Sequence, residues 1–301
     1  MSRLTELRTV LHRCGIRGVV AAVGARLRGS TVGFDDRVSQ VLTGARVLEV
    51  GGPSALFRSD NLVPSYGRAG SIANVNYTGA TLWESGLRDG GDYAPEGTRL
   101  GTQWLREASD LGDVGPYDVV ISSHTIEHTA DPLRALREWL RVTRDGGALV
   151  LVVPHRDGTF DHRRPLTTIE HLRDDEARAV DEADDTHVDE ILRLHDVDRD
   201  PGLASHTQLR ERVDQNLSTR SMHHHVFDTR TVWEMVTEVG WRPVEVEAVW
   251  PHDIVLLAFK GGEQLPLGSF RSPFPTDRRS RRAESSAGRE HPDFSDRLGR
   301  D

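Results

Sequence analysis

The sequence predicts an α/β fold, a doubly wound and mostly parallel sheet, on three observations. Residues 117–122 form a short apolar run rich in β-branched side chains, the pattern of a strand buried on both faces. Asp131 and Pro132 then supply an N-cap and a first-turn proline, with Leu133, Leu136 and Leu140 repeating at helical spacing. After Asp145-Gly146-Gly147 the chain returns as a second buried strand over residues 148–153.

Upstream, residues 45–50 show the same strand pattern, and Gly51-Gly52-Pro53-Ser54 turns from it into an expected helix. Glycines at such a turn let backbone amides approach a ligand, and Glu49 at the strand end can take a hydroxyl or ammonium group. Residues 71–77 should be a second strand and 103–108 a third, ending at Ser109-Asp110. Downstream, Asp228 caps a helix carrying Val232, Val236 and Val239 that Gly240 terminates, and residues 242–249 and 254–259 are the last two strands. Open parallel sheets place ligands at the carboxyl ends of their strands, where Ser122, Ser123, His124, Glu127, His128 and His155 fall.

Three stretches carry a family resemblance: VLEVGGPS at 47–54, EASDL at 107–111, and YDVVISSHTIEH at 117–128 with DPLRALREWLRVTRDGGALVLVVP running to 154. Together they resemble class I S-adenosylmethionine-dependent methyltransferases, over roughly residues 45–154 and a closing segment at 225–260. The resemblance implies a seven-stranded Rossmann-like sheet of order 3-2-1-4-5-7-6 and S-adenosylmethionine as methyl donor. It places the cofactor against Glu49, Gly51, Gly52, Pro53, Ser54, Asn74, Asn76, Asp110, Leu111, Ser123 and His124. The chain departs from the family at two points. The second glycine of the first motif is replaced, and asparagines stand where an acidic residue usually holds the ribose hydroxyls. An amide can bond a hydroxyl, without charge assistance.

At 301 residues the chain can bury a full core. The expected organisation is a helical extension at 1–33, one methyltransferase domain at 34–260, and a disordered tail at 261–301, dense in Gly, Pro, Ser, Arg and Asp without apolar period. Cys14 is the only cysteine, which excludes an intrachain disulfide and a thiolate zinc set. No apolar run is long enough to cross a bilayer, and the expected compartment is the cytoplasm. Residues 170–200 hold 13 acidic residues against four arginines, which matches the whole net charge of −9. No broad basic face is left for nucleic acid. In the N-terminal extension Leu4, Leu7 and Leu11, then Val19, Val20, Val23 and Leu27, fit helices packed over the cleft or on the second subunit of a homodimer. A basic amphipathic helix in peripheral contact with an anionic membrane is the alternative.

Residues 155–225 form a long insertion after the fifth strand, where the family recognises its acceptor. The insertion is rich in histidine and carboxylate, and such walls suit a small-molecule or carbohydrate acceptor bearing hydroxyls. HRDGTFDHRRPLTT at 155–168 and HHHVFD at 223–228 resemble bacterial methyltransferases of polysaccharide or glycoside assembly. The expected reaction is O-methylation of a sugar hydroxyl. N- or O-methylation of a natural-product scaffold and a non-catalytic cofactor-binding role are alternatives. His155 is the first choice for general base, with Asp157 to orient it, His162 second, and His224 in the same catalytic set. No ligand spacing identifies a metal site, so no metal ligands are assigned; a divalent ion in the insertion would serve the acceptor rather than the fold. Thr186-x-x-Asp189, with Val188, Ile191 and Leu192 following, predicts a capped helix. His124-Thr125-Ile126-Glu127-His128 matches the H-x-x-E-H of inverted zinc proteases, but it follows a strand instead of lying on a helix.

Overall fold

The computed structural model describes residues 31–81, 84–261 and 270–277. The expected helical patterns over residues 1–28 lie outside the described residues. Nine strands among those described form one sheet: β1 (Arg46–Val50), β2 (Ser71–Asn76), β3 (Asp92–Tyr93), β4 (Gly101–Leu105), β5 (Tyr117–Ser123), β6 (Thr143–Pro154), β7 (Trp241–Val249), β8 (Asp253–Lys260) and β9 (Phe270–Arg271). Their order is β3-β4-β2-β1-β5-β6-β8-β7-β9. Without the two-residue edge strands β3 and β9 this is the expected 3-2-1-4-5-7-6 order. Strands β4, β2, β1, β5 and β6 run parallel, and β8 lies antiparallel between β6 and β7.

Among the described residues seven α-helices accompany the sheet: α1 (Asp35–Leu42), α2 (Pro132–Val142), α3 (Ile169–Arg178), α4 (Val188–Leu194), α5 (His206–Asp214), α6 (Asn216–Thr219) and α7 (Thr229–Glu238). Alternation along β5 shows why the sheet is covered twice. Val120 joins a core with Leu136, Trp139 and Trp241, while Val119 and Ile121 join the opposite core with Val38, Leu42 and Phe57. The caps form as the side chains dictate. Arg134 N–H donates to Asp131 Oδ1 at 2.9 Å and Thr231 N–H to Asp228 Oδ1 at 2.8 Å. Among the described residues no helix is long and apolar enough to cross a membrane.

Four local expectations fail. The turn after β1 leads into a three-residue 3-10 helix, Ala55–Phe57, because Ser54 caps it and Ser59-Asp60-Asn61 turns the chain away. The third strand ends at Leu105, before the polar Arg106 to Asp110 turn. Thr186 does not cap α4; its hydroxyl donates to Asp184 Oδ2 at 2.6 Å, and His187 occupies the cap position without a side-chain bond. Residues 270–277, expected to be disordered, are folded: β9 pairs with β7, Phe274 is fully buried and Asp277 is tied to Thr229. That segment has no sequence period because its partners are supplied by other elements.

Candidate functional site

The carboxyl ends of β1, β2 and β5 open into a cleft of about 870 Å³, whose far wall is built by the insertion. Gly51 leaves β1 with φ of +85°, a left-handed conformation, and a Cβ there would collide with Thr125 Oγ1. Gly52 is held on both polar groups. Its N–H donates to Asn74 Oδ1 at 3.0 Å, and its carbonyl accepts from Asn74 Nδ2 at 3.0 Å and Asn76 Nδ2 at 2.9 Å. Glu49 lies beneath, where Oε1 accepts from Ser54 N–H and Tyr66 OH at 3.0 Å each and Oε2 from Tyr93 OH at 2.5 Å. Gly51, Gly52, Pro53, Ser54 and Asn76 therefore line the cleft as expected. Glu49 and Asn74 do not. Both are 0 % exposed and brace the turn from behind.

Of the segment around Asp110 and Leu111, the residues that line the cleft are Arg106 to Ser109. Ala108 and Ser109 face the cleft, held where Trp139 Nε1–H donates to the Ala108 carbonyl at 2.9 Å. Asp110 is exposed outside the wall, and Leu111 points into the core beside α2.

Beyond β5, Ser123 and His124 line the cleft as expected, joined by Glu127, His128 and His223. His124 has φ of +51°, which turns its ring between two acids: Asp253 Oδ1 at 2.9 Å from Nε2 and Glu127 Oε1 at 3.4 Å from Nδ1. Burial opposes its protonation, but hydrogen bonds and charge from Asp253 and Glu127 outweigh that and push its pKa up to about 10. His128 goes the other way; burial and then the charge of His223 lower it to about 4, so its imidazole stays neutral. Residues 126–128 form a 3-10 turn rather than an α-helix, which removes the protease geometry from H-x-x-E-H.

None of the four expected catalytic residues lines the cleft. His155 is sealed: its Nδ1 accepts from Asp157 N–H at 3.1 Å, its Nε2 meets Asp277 at 3.2 Å, and its ring stacks on Phe274. Asp157 is engaged with Thr276. His162 pairs with Asp196 at 2.8 Å, and His224 is buried beside Asn216. His223 does line the cleft, and its Nδ1 lies 2.6 Å from the buried Asp161 Oδ2. Arg164 fixes that pair, donating to Asp161 Oδ1 at 3.0 Å and to the His223 carbonyl at 2.8 Å. His223 and Arg164 hold Asp161 well below the usual carboxylate range despite its burial. The three-histidine run flagged the position, but only the fold distinguishes His223 from its neighbours.

The model of a methyltransferase domain family matches residues 34–246, most of the described fold. The chain belongs to this family. No curated protein matches it. Solved structures of similar fold include an N-methyltransferase, NodS, from Bradyrhizobium japonicum WM9 in complex with S-adenosyl-L-homocysteine, at 8% identity and TM-score 0.40, covering 76% of this chain and 86% of that one. A SAM-dependent methyltransferase from Aquifex aeolicus is similar at 12% identity and TM-score 0.41, covering 79% and 93%. The 1,6-didemethyltoxoflavin-N1-methyltransferase of Burkholderia thailandensis is similar at 14% identity and TM-score 0.42, covering 87% and 92%. The methyltransferase takes its methyl group from S-adenosylmethionine, and two features fit that cofactor. Gly51 leaves room at the turn where a side chain would collide, and Ser123 Oγ, buried in the wall, makes no hydrogen bond within the protein.

Glu49 gives this methyltransferase a pH signature. Burial raises its carboxyl from 4.5 to about 7, against the lowering effect of the bonds from Tyr93, Tyr66 and Ser54. Because the folded pKa is the higher, the stability contribution is full below pH 4.5 and is lost as pH rises through 7, on the order of 3 kcal/mol in all. Urea unfolding midpoints at pH 5 and pH 8 should differ in the wild type and converge in Glu49→Gln. An unchanged pH dependence in the variant would assign the effect to another group.

Proposed function

We propose that this methyltransferase methylates a hydroxyl of a carbohydrate acceptor, with His223 as general base and Asp161 orienting it. The observation that carries the reading is the Asp161–His223 pair on the acceptor side of the cleft, with its short contact at Nδ1. A carboxylate at Nδ1 keeps the proton there and leaves Nε2 as the basic nitrogen. The bound cofactor supplies an electrophilic methyl group, so the protein's own part is alignment and proton removal. His223 takes the hydroxyl proton at Nε2 as the acceptor oxygen turns nucleophilic. His124, kept protonated between Asp253 and Glu127, donates and cannot be the base. Arg199, Asp200, Arg212 and Glu182 give the far wall the paired donors and acceptors that sugar hydroxyls require.

The proposed cofactor contacts are Gly51, Gly52, Pro53, Ser54, Asn76, Ser109, Ser123 and His124. The test supplies isotope-labelled S-adenosylmethionine with a panel of nucleotide sugars, glycosides and amine-bearing scaffolds, and locates the methyl group by NMR. Methoxyl products on a sugar support the reading. Turnover confined to amines would sink it.

A further inference from the structure

We propose that His171, Asp175, His187 and His225 hold a tetrahedral zinc ion that ties three segments of the insertion to one another, at a site separate from the methyl-transfer cleft. One potential ligand atom from each of the four lies within 4.8 Å of all the others. The four residues come from three chain segments. His171 and Asp175 stand four apart on α3, which puts them on one helix face. His187 comes from the turn before α4, and His225 from the segment that returns to α7. None of the four lines the cleft.

The spacing fits one small ion. His171 Nε2 lies 3.2 Å from His187 Nε2 and 3.1 Å from Asp175 Oδ2. Tetrahedral bonds of about 2.0–2.1 Å to zinc place neighbouring ligand nitrogens roughly 3.3 Å apart. Two unsatisfied groups point to the same conclusion: Asp175 Oδ2 and His225 Nδ1 are buried and make no hydrogen bond. His225 Nε2 lies 3.9 Å from Asp175 Oδ2 and 3.1 Å from the Ala130 carbonyl, so this imidazole borders the cluster beside a backbone acceptor. Three imidazoles and one carboxylate, without thiolate, suit zinc. Two other groupings, Glu127 with His128 and His223, and His124 with His252 and Asp253, line the cleft already described.

The experiment uses the full chain without an affinity tag. Metal analysis and zinc titration against a chromophoric chelator should show one zinc per chain, and Co²⁺ should give the intense visible spectrum of a tetrahedral site. His187→Ala and His171→Gln should each weaken zinc binding by roughly 100-fold or more, while His223→Ala keeps it. Withdrawing zinc from the wild type should lower Tm by about 5–10 °C, with binding of S-adenosylhomocysteine retained. A chain that takes up no stoichiometric zinc overturns the proposal. So do variants at 171 and 187 that bind as the wild type does, or a loss that follows His223→Ala instead. Retained cofactor binding in every variant keeps failure of this site distinct from failure of the cleft assignment.

Discussion

Replacing Gly51 with valine should abolish binding of S-adenosylhomocysteine, weakening it by roughly 10²-fold or more, while the protein still folds around its sheet. Two penalties act on one residue. A β-branched side chain resists the φ of +85° that the turn requires, at a cost on the order of 1–3 kcal/mol. Its Cβ would also occupy the space of Thr125 Oγ1, a hydroxyl already donating to the Val50 carbonyl at 3.1 Å. The strand end and the H-x-x-E-H segment would have to separate to admit it. Binding requires the native path of the turn, and at 1.4 kcal/mol per tenfold in affinity the upper end of that strain alone corresponds to about two decades. Calorimetry measures the affinity, and circular dichroism checks the fold. Binding within a few-fold of the wild type, in a folded variant, would remove this turn from the cofactor site.

His223→Ala should lower kcat by roughly 10²- to 10⁴-fold once an acceptor is in hand, the range of general-base removal, and leave affinity for S-adenosylhomocysteine within about threefold. Asp161→Asn tests the other half of the pair. It keeps size but presents an amide where His223 needs an acceptor, so kcat should fall even though the imidazole remains. It also strips the charge that Arg164 balances, and breaking a buried pair costs on the order of 3–5 kcal/mol. Its Tm must therefore be read beside its rate. Near wild-type turnover in His223→Ala would place the base elsewhere in the cleft.

The sheet was legible where a single segment carries its own signal. The unit β5-α2-β6 declares itself through β-branched runs, Asp131 before Pro132, and leucines at helical spacing, all inside 38 residues. Two-residue strands such as β3 and β9 hold no period at all, so they appear only when a neighbouring edge is there to receive them. Which glycines reach the cleft was legible in the sequence, and which histidines do was only partly so. Position after the fifth strand favoured His155, but Phe274 and Asp277, which seal it, come from a stretch whose composition reads as disorder. Asn74 and Asn76 share one face of β2, and only the latter, two residues nearer the carboxyl end, reaches the cleft. Imidazoles and carboxylates of the insertion suit a divalent ion, but no spacing in the sequence singles out a set, and only the fold brings His171 and Asp175 of α3 beside His187 and His225.

His155 meets Asp277 across 122 positions of chain, and that separation sets a timetable. At a synthesis rate of roughly 5–20 residues per second, about 6–25 s pass between the appearance of the histidine and that of its partner. Strands β1, β2 and β5, with the glycine turn and Ser123, are all made before His155 itself. The strands and the glycine turn at the cleft thus precede in synthesis the peptide that covers His155. For that interval His155 stands uncovered, and the seal arrives with the peptide that carries Phe274 and Asp277.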